Sequence, residues 1–168
     1  MKQFPNPKRD QYWMDVAQLT AKQSHGIRAK VGSVLVTENG ASVVGCNGLP
    51  KQLGNDLEYR VCDPAGEYED GDGKYKLVTR NEVTHAELNT VLKCAKEGIS
   101  TVGSTIYVTL SPCSACATML VAAGVKRVVY LNEYRDTQGL YLLKQCGVIV
   151  ERLGIASVDK LNLGGKDV

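Results

Sequence analysis

No stretch of this 168-residue chain is long and apolar enough to cross a bilayer as a helix, so no membrane-spanning role is expected. The opening residues, MKQFPNPKRDQYW, lack the apolar core of a secretory signal; the chain reads as cytoplasmic, with its thiols reduced. A net charge of +2 gives no electrostatic footprint for nucleic acid or for an anionic membrane. Internal repeats are absent, and histidine is scarce, with only His25 and His85. What is present is ordinary for a globular domain: 43% hydrophobic and 23% charged residues, in a length that buries one full core.

Six cysteines invite a disulfide framework, but a core-rich domain in a reducing compartment does not need one. Cys94 and Cys146 fall among apolar helical residues and read as buried, inert thiols. Cys113 and Cys116 stand apart from these.

Along the chain, residues 10–23 place Trp13, Val16, Ala17 and Leu19 at helical spacing, with Trp13 in the core. VGSVLVT and ASVVGCNG, joined at Asn39-Gly40, form an antiparallel pair. Residues 50–83 are crowded with acids, glycine and proline, and read as an insertion loop on the surface. From residue 84 helices and strands alternate. Leu88, Val91, Leu92 and Ala95 mark one helix face, and STIYVTL, KRVVYL and VIVERL are strands of a parallel sheet. This is an α/β domain over residues 1–154, followed by a weakly patterned tail, 155–168.

Two helix starts carry chemistry. In SPCSAC, Ser111 suits an N-cap and Pro112 the first helical position. Cys113 and Cys116 then share a face at the positive end of a helix, which favours thiolates. A lone C-x-x-C is equally a redox motif. With His85, however, the two cysteines make a Cys2His set that leaves one zinc position open, as a catalytic site does. Zinc lowers the pKa of a water there toward ~7. Glu87 has two readings. Thr84-x-x-Glu87 is a capping box, or Glu87 converges with His85 beyond the helix end and takes a proton from that water. Counting Pro112-Cys113-x-x-Cys116 with it favours catalysis.

His85-Ala86-Glu87 with Pro112-Cys113-Ser114-Ala115-Cys116 resembles the zinc deaminase signature, and the likeness narrows further. Ser24 to Gly32 resembles the S-x-x-x-R-x-x-V-G stretch of deoxycytidylate deaminases. Gly45 to Pro50 resembles their G-Y-N-G-x-P motif, HAELN matches their metal helix, and Tyr134-Arg135-Asp136 looks like their tyrosine loop. The likeness covers residues 12–152, on the bacterial and phage branch.

It implies a three-layer α/β/α fold with a mixed five-stranded sheet and hydrolysis of dCMP to dUMP and ammonia, feeding thymidylate synthesis. It further implies one Zn2+ on His85, Cys113 and Cys116, with Glu87 moving the proton. The Ala86 amide and Ser111 carbonyl would hold the base, Tyr134 stack on it, Asn47 bind the 3′-hydroxyl, and Ser24, Arg28 and Arg135 bind the 5′-phosphate. Read without the family, Arg28 is a solvated loop charge, Asn47 a turn residue and Tyr134 a core aromatic.

Regulation by dCTP and dTTP, with Mg2+, is implied at Gly45, Cys46, Gly48 and Lys96. Cys46 replaces the family's tyrosine, however, and Lys93 its aromatic. Residues 50–83 hold Cys62 and no histidine, so no second zinc is expected. A homohexamer is also implied. The competing readings are a nucleic-acid deaminase of the tRNA adenosine type and a zinc-stabilised domain without catalysis; neither nucleic acid nor membrane is expected as a partner.

Overall fold

The computed structural model describes residues 6–154, so the expected tail, 155–168, lies outside the described residues. Helix α1 (Pro7–Ala21) leads to β1 (Gly32–Val36) and β2 (Ser42–Cys46). A 3-10 turn (Lys51–Leu53) precedes β3 (Glu58–Cys62), β4 (Tyr68–Asp70) and β5 (Gly73–Thr79). Then come α2 (Ala86–Lys96), β6 (Thr105–Leu110), α3 (Ser114–Ala122), β7 (Arg127–Asn132), α4 (Gln138–Gln145) and β8 (Ile149–Arg152). α1 starts earlier than its apolar spacing predicts, because the Asn6 side chain accepts the Arg9 N–H at 3.2 Å and Pro7 suits the first turn.

The main sheet runs β2-β1-β6-β7-β8. β1 is antiparallel to β2 and β6, and β6, β7 and β8 are parallel. Strand alternation divides the core. Val34, Val36, Tyr107 and Val129 face α1, meeting Met14 and Ala17, with Trp13 packed at the margin. Leu35, Ile106, Val108, Val128 and Tyr130 face the other way, toward Ala117, Leu120, Leu140 and Leu143 of α3 and α4. The result is the three-layer α/β/α arrangement with a mixed sheet that the resemblance implied.

Residues 50–83 are not a loop. β3, β5 and β4 form a second, three-stranded antiparallel sheet. Its alternation in EYRVC and KYKLVT is hidden in the sequence by charge, and those charges turn out to be cross-strand partners. Lys76 Nζ lies 3.0 Å from Asp63, Arg60 pairs with Asp70 and sits over Tyr75, and Tyr75 stacks on Tyr68 at 5.5 Å.

α2 also turns a different side inward from the one its leucines marked. Ala86, Glu87, Thr90 and Cys94 are buried, while Leu92 is 47% exposed. The polar members of that stripe have work there. Thr90 Oγ1 lies 2.6 Å from Ser33 Oγ and donates to the Ala86 carbonyl at 3.0 Å. Gly45 of β2 lets the helix approach this closely, since a Cβ there would collide with the Thr90 hydroxyl and backbone. Cys94 is buried as expected, but Cys146 is exposed, because it caps the end of α4 instead of lying inside it.

On the α1 side a buried ion network crosses the sheet. Arg127 donates to both oxygens of Asp10, at 2.7 and 2.8 Å, and its Nε donates to Glu151 at 2.5 Å. Tyr107 donates to Asp10 at 2.8 Å. Burial pushes the Asp10 carboxyl up, but the hydrogen bonds from Arg127 and Tyr107 outweigh it and hold it below its ordinary value.

Candidate active site

The parallel strands β6 and β7 open at their carboxyl ends toward the starts of α2 and α3, where open α/β sheets bind ligands. Ser111 does not cap α3. It continues the strand, its N–H donating to the Asn132 carbonyl at 2.8 Å while its hydroxyl accepts the Tyr134 N–H at 2.8 Å. Pro112 therefore precedes the helix, and Cys113 is the N-cap residue, its carbonyl accepting the Ala117 N–H at 2.8 Å. Cys116 lies in the first turn, 5% exposed.

His85 caps α2 in extended conformation without a side-chain cap bond. Its imidazole turns to the cysteines instead, with Nδ1 3.6 Å from Cys113 Sγ and 3.5 Å from Cys116 Sγ. Two ligands ~2.0–2.3 Å from one tetrahedral ion lie roughly 3.5 Å apart. The three ligand atoms fall within 4.8 Å of one another, and the soft, closely spaced donor set fits zinc. Burial, then the charges of Glu87 and Cys113, push the Cys116 thiol up; a cation at the cluster would act the other way and favour the thiolate.

Glu87 does not form the capping box. His85, not Thr84, is the N-cap residue, and Glu87 is 3% exposed beside Cys116. Burial pushes its carboxyl up to about 7, against the lowering effect of hydrogen bonds from its own N–H and from Cys116.

A cavity of about 390 Å³ opens over this cluster. His85, Ala86, Glu87, Ser111, Cys113, Asn47, Tyr134, Arg28 and Arg135 all line it. Arg135 sits over the Tyr134 ring at 5.7 Å. The Asn47 carboxamide also pins its neighbours, accepting from the Val31 N–H at 2.8 Å and donating to the Ala29 carbonyl at 3.0 Å.

Ser24 is a correction to the expected phosphate ligands. It is 3% exposed and outside the cavity lining; its hydroxyl donates to the Asn47 carbonyl at 2.9 Å and accepts the Gly26 N–H at 3.2 Å. Its hydroxyl holds the loop together. His25 is exposed and outside the group of three ligands. The cavity wall includes residues that sequence reading missed: Glu58, Glu67, Tyr68 and Thr79 of the second sheet and its connections. For Glu58 and Thr79 the alternation in EYRVC and KYKLVT was the signal that could have found them; Glu67 and Tyr68 lie in neither segment.

A buried carboxylate against a three-donor soft metal site, at the mouth of an α/β/α sheet, defines a metal-dependent hydrolytic centre. The model of the cytidine and deoxycytidylate deaminase zinc-binding region matches residues 7–132, and the chain belongs to that family. It is 34% identical over 137 residues to the deoxycytidylate deaminase of Mycobacterium phage D29, covering 76% of this chain and 97% of the relative. Against the deoxycytidylate deaminase of Saccharomyces cerevisiae it is 29% identical over 92% of its own length but spans only 48% of that protein. Among solved structures, the dCMP deaminase of cyanophage S-TIM5 in complex with dCMP and dUMP superposes with a TM-score of 0.69 at 36% identity, covering 88% of this chain and 98% of that one.

Proposed function

We propose that this protein deaminates dCMP hydrolytically, giving dUMP and ammonia and so supplying dUMP for thymidylate synthesis. The observation that carries the reading is the buried Glu87 carboxyl against His85, Cys113 and Cys116 in a nucleotide-sized cavity. Zinc held by those three residues supplies a Lewis acid that brings the pKa of a water toward neutrality. Glu87 takes the proton of the attacking water, delivers it to N3 of the pyrimidine, and then assists the amino group at C4 to leave as ammonia.

The remaining roles are supported by position on the cavity wall. The Ala86 N–H, an unpaired donor of the first helical turn by position, and the Ser111 carbonyl hold the base edge. Tyr134 stacks on the ring, Asn47 bonds the 3′-hydroxyl, and Arg28 and Arg135 face the 5′-phosphate.

Regulation by dCTP and dTTP, with Mg2+, through Gly45, Cys46, Gly48 and Lys96 belongs to the same reading. It is supported by the short path from that strand to the metal helix. Gly45 packs on Thr90, the Asn89 side chain donates to the Cys46 carbonyl at 2.8 Å, and Gly48 exchanges two backbone bonds with Thr84, next to His85. Self-association as a hexamer belongs to the same reading, and Leu92 of α2 and Val44 of the edge strand β2 are exposed apolar side chains open to a second copy. A reducing cytoplasm suits thiols that must stay free to bind metal; among the described residues no helix is long and apolar enough to cross a membrane.

The test is ammonia release from dCMP, dCTP, cytidine and cytosine, each with and without dCTP or dTTP as effector. Turnover of dCMP above the others is the expected result. Activity confined to a nonphosphorylated substrate, or tight salt-sensitive RNA binding in place of turnover, would contradict it.

A further inference from the structure

We propose that Glu58, with Thr79 beside it, is a positioning residue for the substrate's 5′-phosphate, acting through Arg28; this rests on the reading of dCMP as substrate. The segment from Ser24 to Lys30 has neither helix nor strand, so its backbone needs partners from outside. From one side Asn47 binds Ala29 and Val31. From the other, Glu58 Oε2 accepts the Ile27 N–H at 3.2 Å and Oε1 accepts the Arg28 N–H at 3.3 Å. One carboxylate bridging two successive amides fixes the direction in which Arg28 leaves the loop.

The guanidinium is held as well, with Nη1 donating to Thr79 Oγ1 at 3.2 Å. Glu58 and Thr79 are direct partners in the β3–β5 register, so both contacts come from one end of the second sheet. All three residues line the cavity that also holds Glu87 and Tyr134.

An arginine on an irregular loop must otherwise give up its rotamer freedom when an anion binds. Ordering it beforehand removes that cost from the binding step. The sign of the effect is diagnostic. A carboxylate near a phosphate site repels the anion, and repulsion alone would make removal of Glu58 tighten binding. Positioning makes removal weaken it.

The experiment compares steady-state kinetics on dCMP and on deoxycytidine, which lacks the phosphate, for the zinc-loaded wild type, Glu58→Ala, Glu58→Gln, Thr79→Val, Arg28→Ala and the Glu58→Ala/Arg28→Ala double variant. Glu58→Ala is expected to raise KM for dCMP about tenfold with kcat within about twofold, leaving KM for deoxycytidine unmoved. Glu58→Gln, which keeps one acceptor oxygen, should fall between wild type and Glu58→Ala, and Thr79→Val should raise the same KM roughly threefold. The double variant should be no worse than Arg28→Ala alone.

These two milder changes carry the test if Glu58→Ala does not fold. A fall in KM for dCMP, or equal changes on both substrates, would overturn the inference. A wild type that uses deoxycytidine as readily as dCMP would sink the substrate reading itself. A wild type that prefers dCMP, with that preference unmoved in the Glu58 and Thr79 variants, would overturn only the role of Glu58.

Discussion

Glu87→Gln should lower kcat on dCMP by about 10²- to 10⁴-fold, the range a positioned general acid–base supplies. The substitution keeps the shape of the side chain and removes its ability to carry a proton. Glu87 is not among the three clustered donors, so bound zinc should stay at the wild-type level. Its side chain is buried, and a neutral amide costs less to bury than a carboxylate, so the fold should survive the change. KM should move little, because the interaction removed belongs to the transition state. Stopped-assay kinetics, metal analysis and a melting curve on the same preparation separate these effects. A variant turning over within threefold of wild type would remove Glu87 from the mechanism.

Arg127→Met should destabilise the protein by about 3–5 kcal/mol, the cost of leaving buried charges without their partner. Arg127 is 1% exposed and bridges Asp10 and Glu151, so the loss takes the guanidinium from the buried Asp10 carboxylate, which keeps the Tyr107 hydroxyl, and from the partly exposed Glu151. For a domain of this size the melting point should drop by about 10 °C or more. The double variant Asp10→Asn/Arg127→Met should recover part of that loss, because the two residues form one unit.

The same network sets an acid limit on stability. The folded Asp10 carboxyl lies below its ordinary value, so its contribution is complete above the unfolded pKa of about 3.9 and is lost as pH falls through the folded value. Asp10→Asn should flatten this part of the pH–stability curve in denaturant titrations. The site lies on the opposite face of the sheet from α1, so kcat per folded molecule should be unaffected by either change.

The metal site was legible because its information is local. Two short motifs sit at two helix starts, and a helix start holds its side chains in nearly fixed directions. The parallel strands β6 and β7 were legible for the related reason that strands buried on both faces read as continuous apolar runs.

What could not be read depended on partners far away. Arg127 and Asp10 lie 117 positions apart, and neither alone signals burial. The second sheet carries its alternation beneath charges that cancel only across strands. The inward face of α2 was misread because Glu87 and Thr90 are buried for the site and for contact with Ser33, against their polarity, leaving Leu92 outside. Ser24 matched a motif, yet its hydroxyl is consumed by the Asn47 carbonyl, which no spacing reveals.

The most direct measurement is zinc per chain in the purified, dCMP-active protein, set beside the same count for Cys116→Ala. Near one ion per chain, falling with activity in the variant, is what one imidazole and two thiolates at a single centre require. Full turnover from metal-free protein, or a variant that keeps both its zinc and its rate, would contradict the assignment.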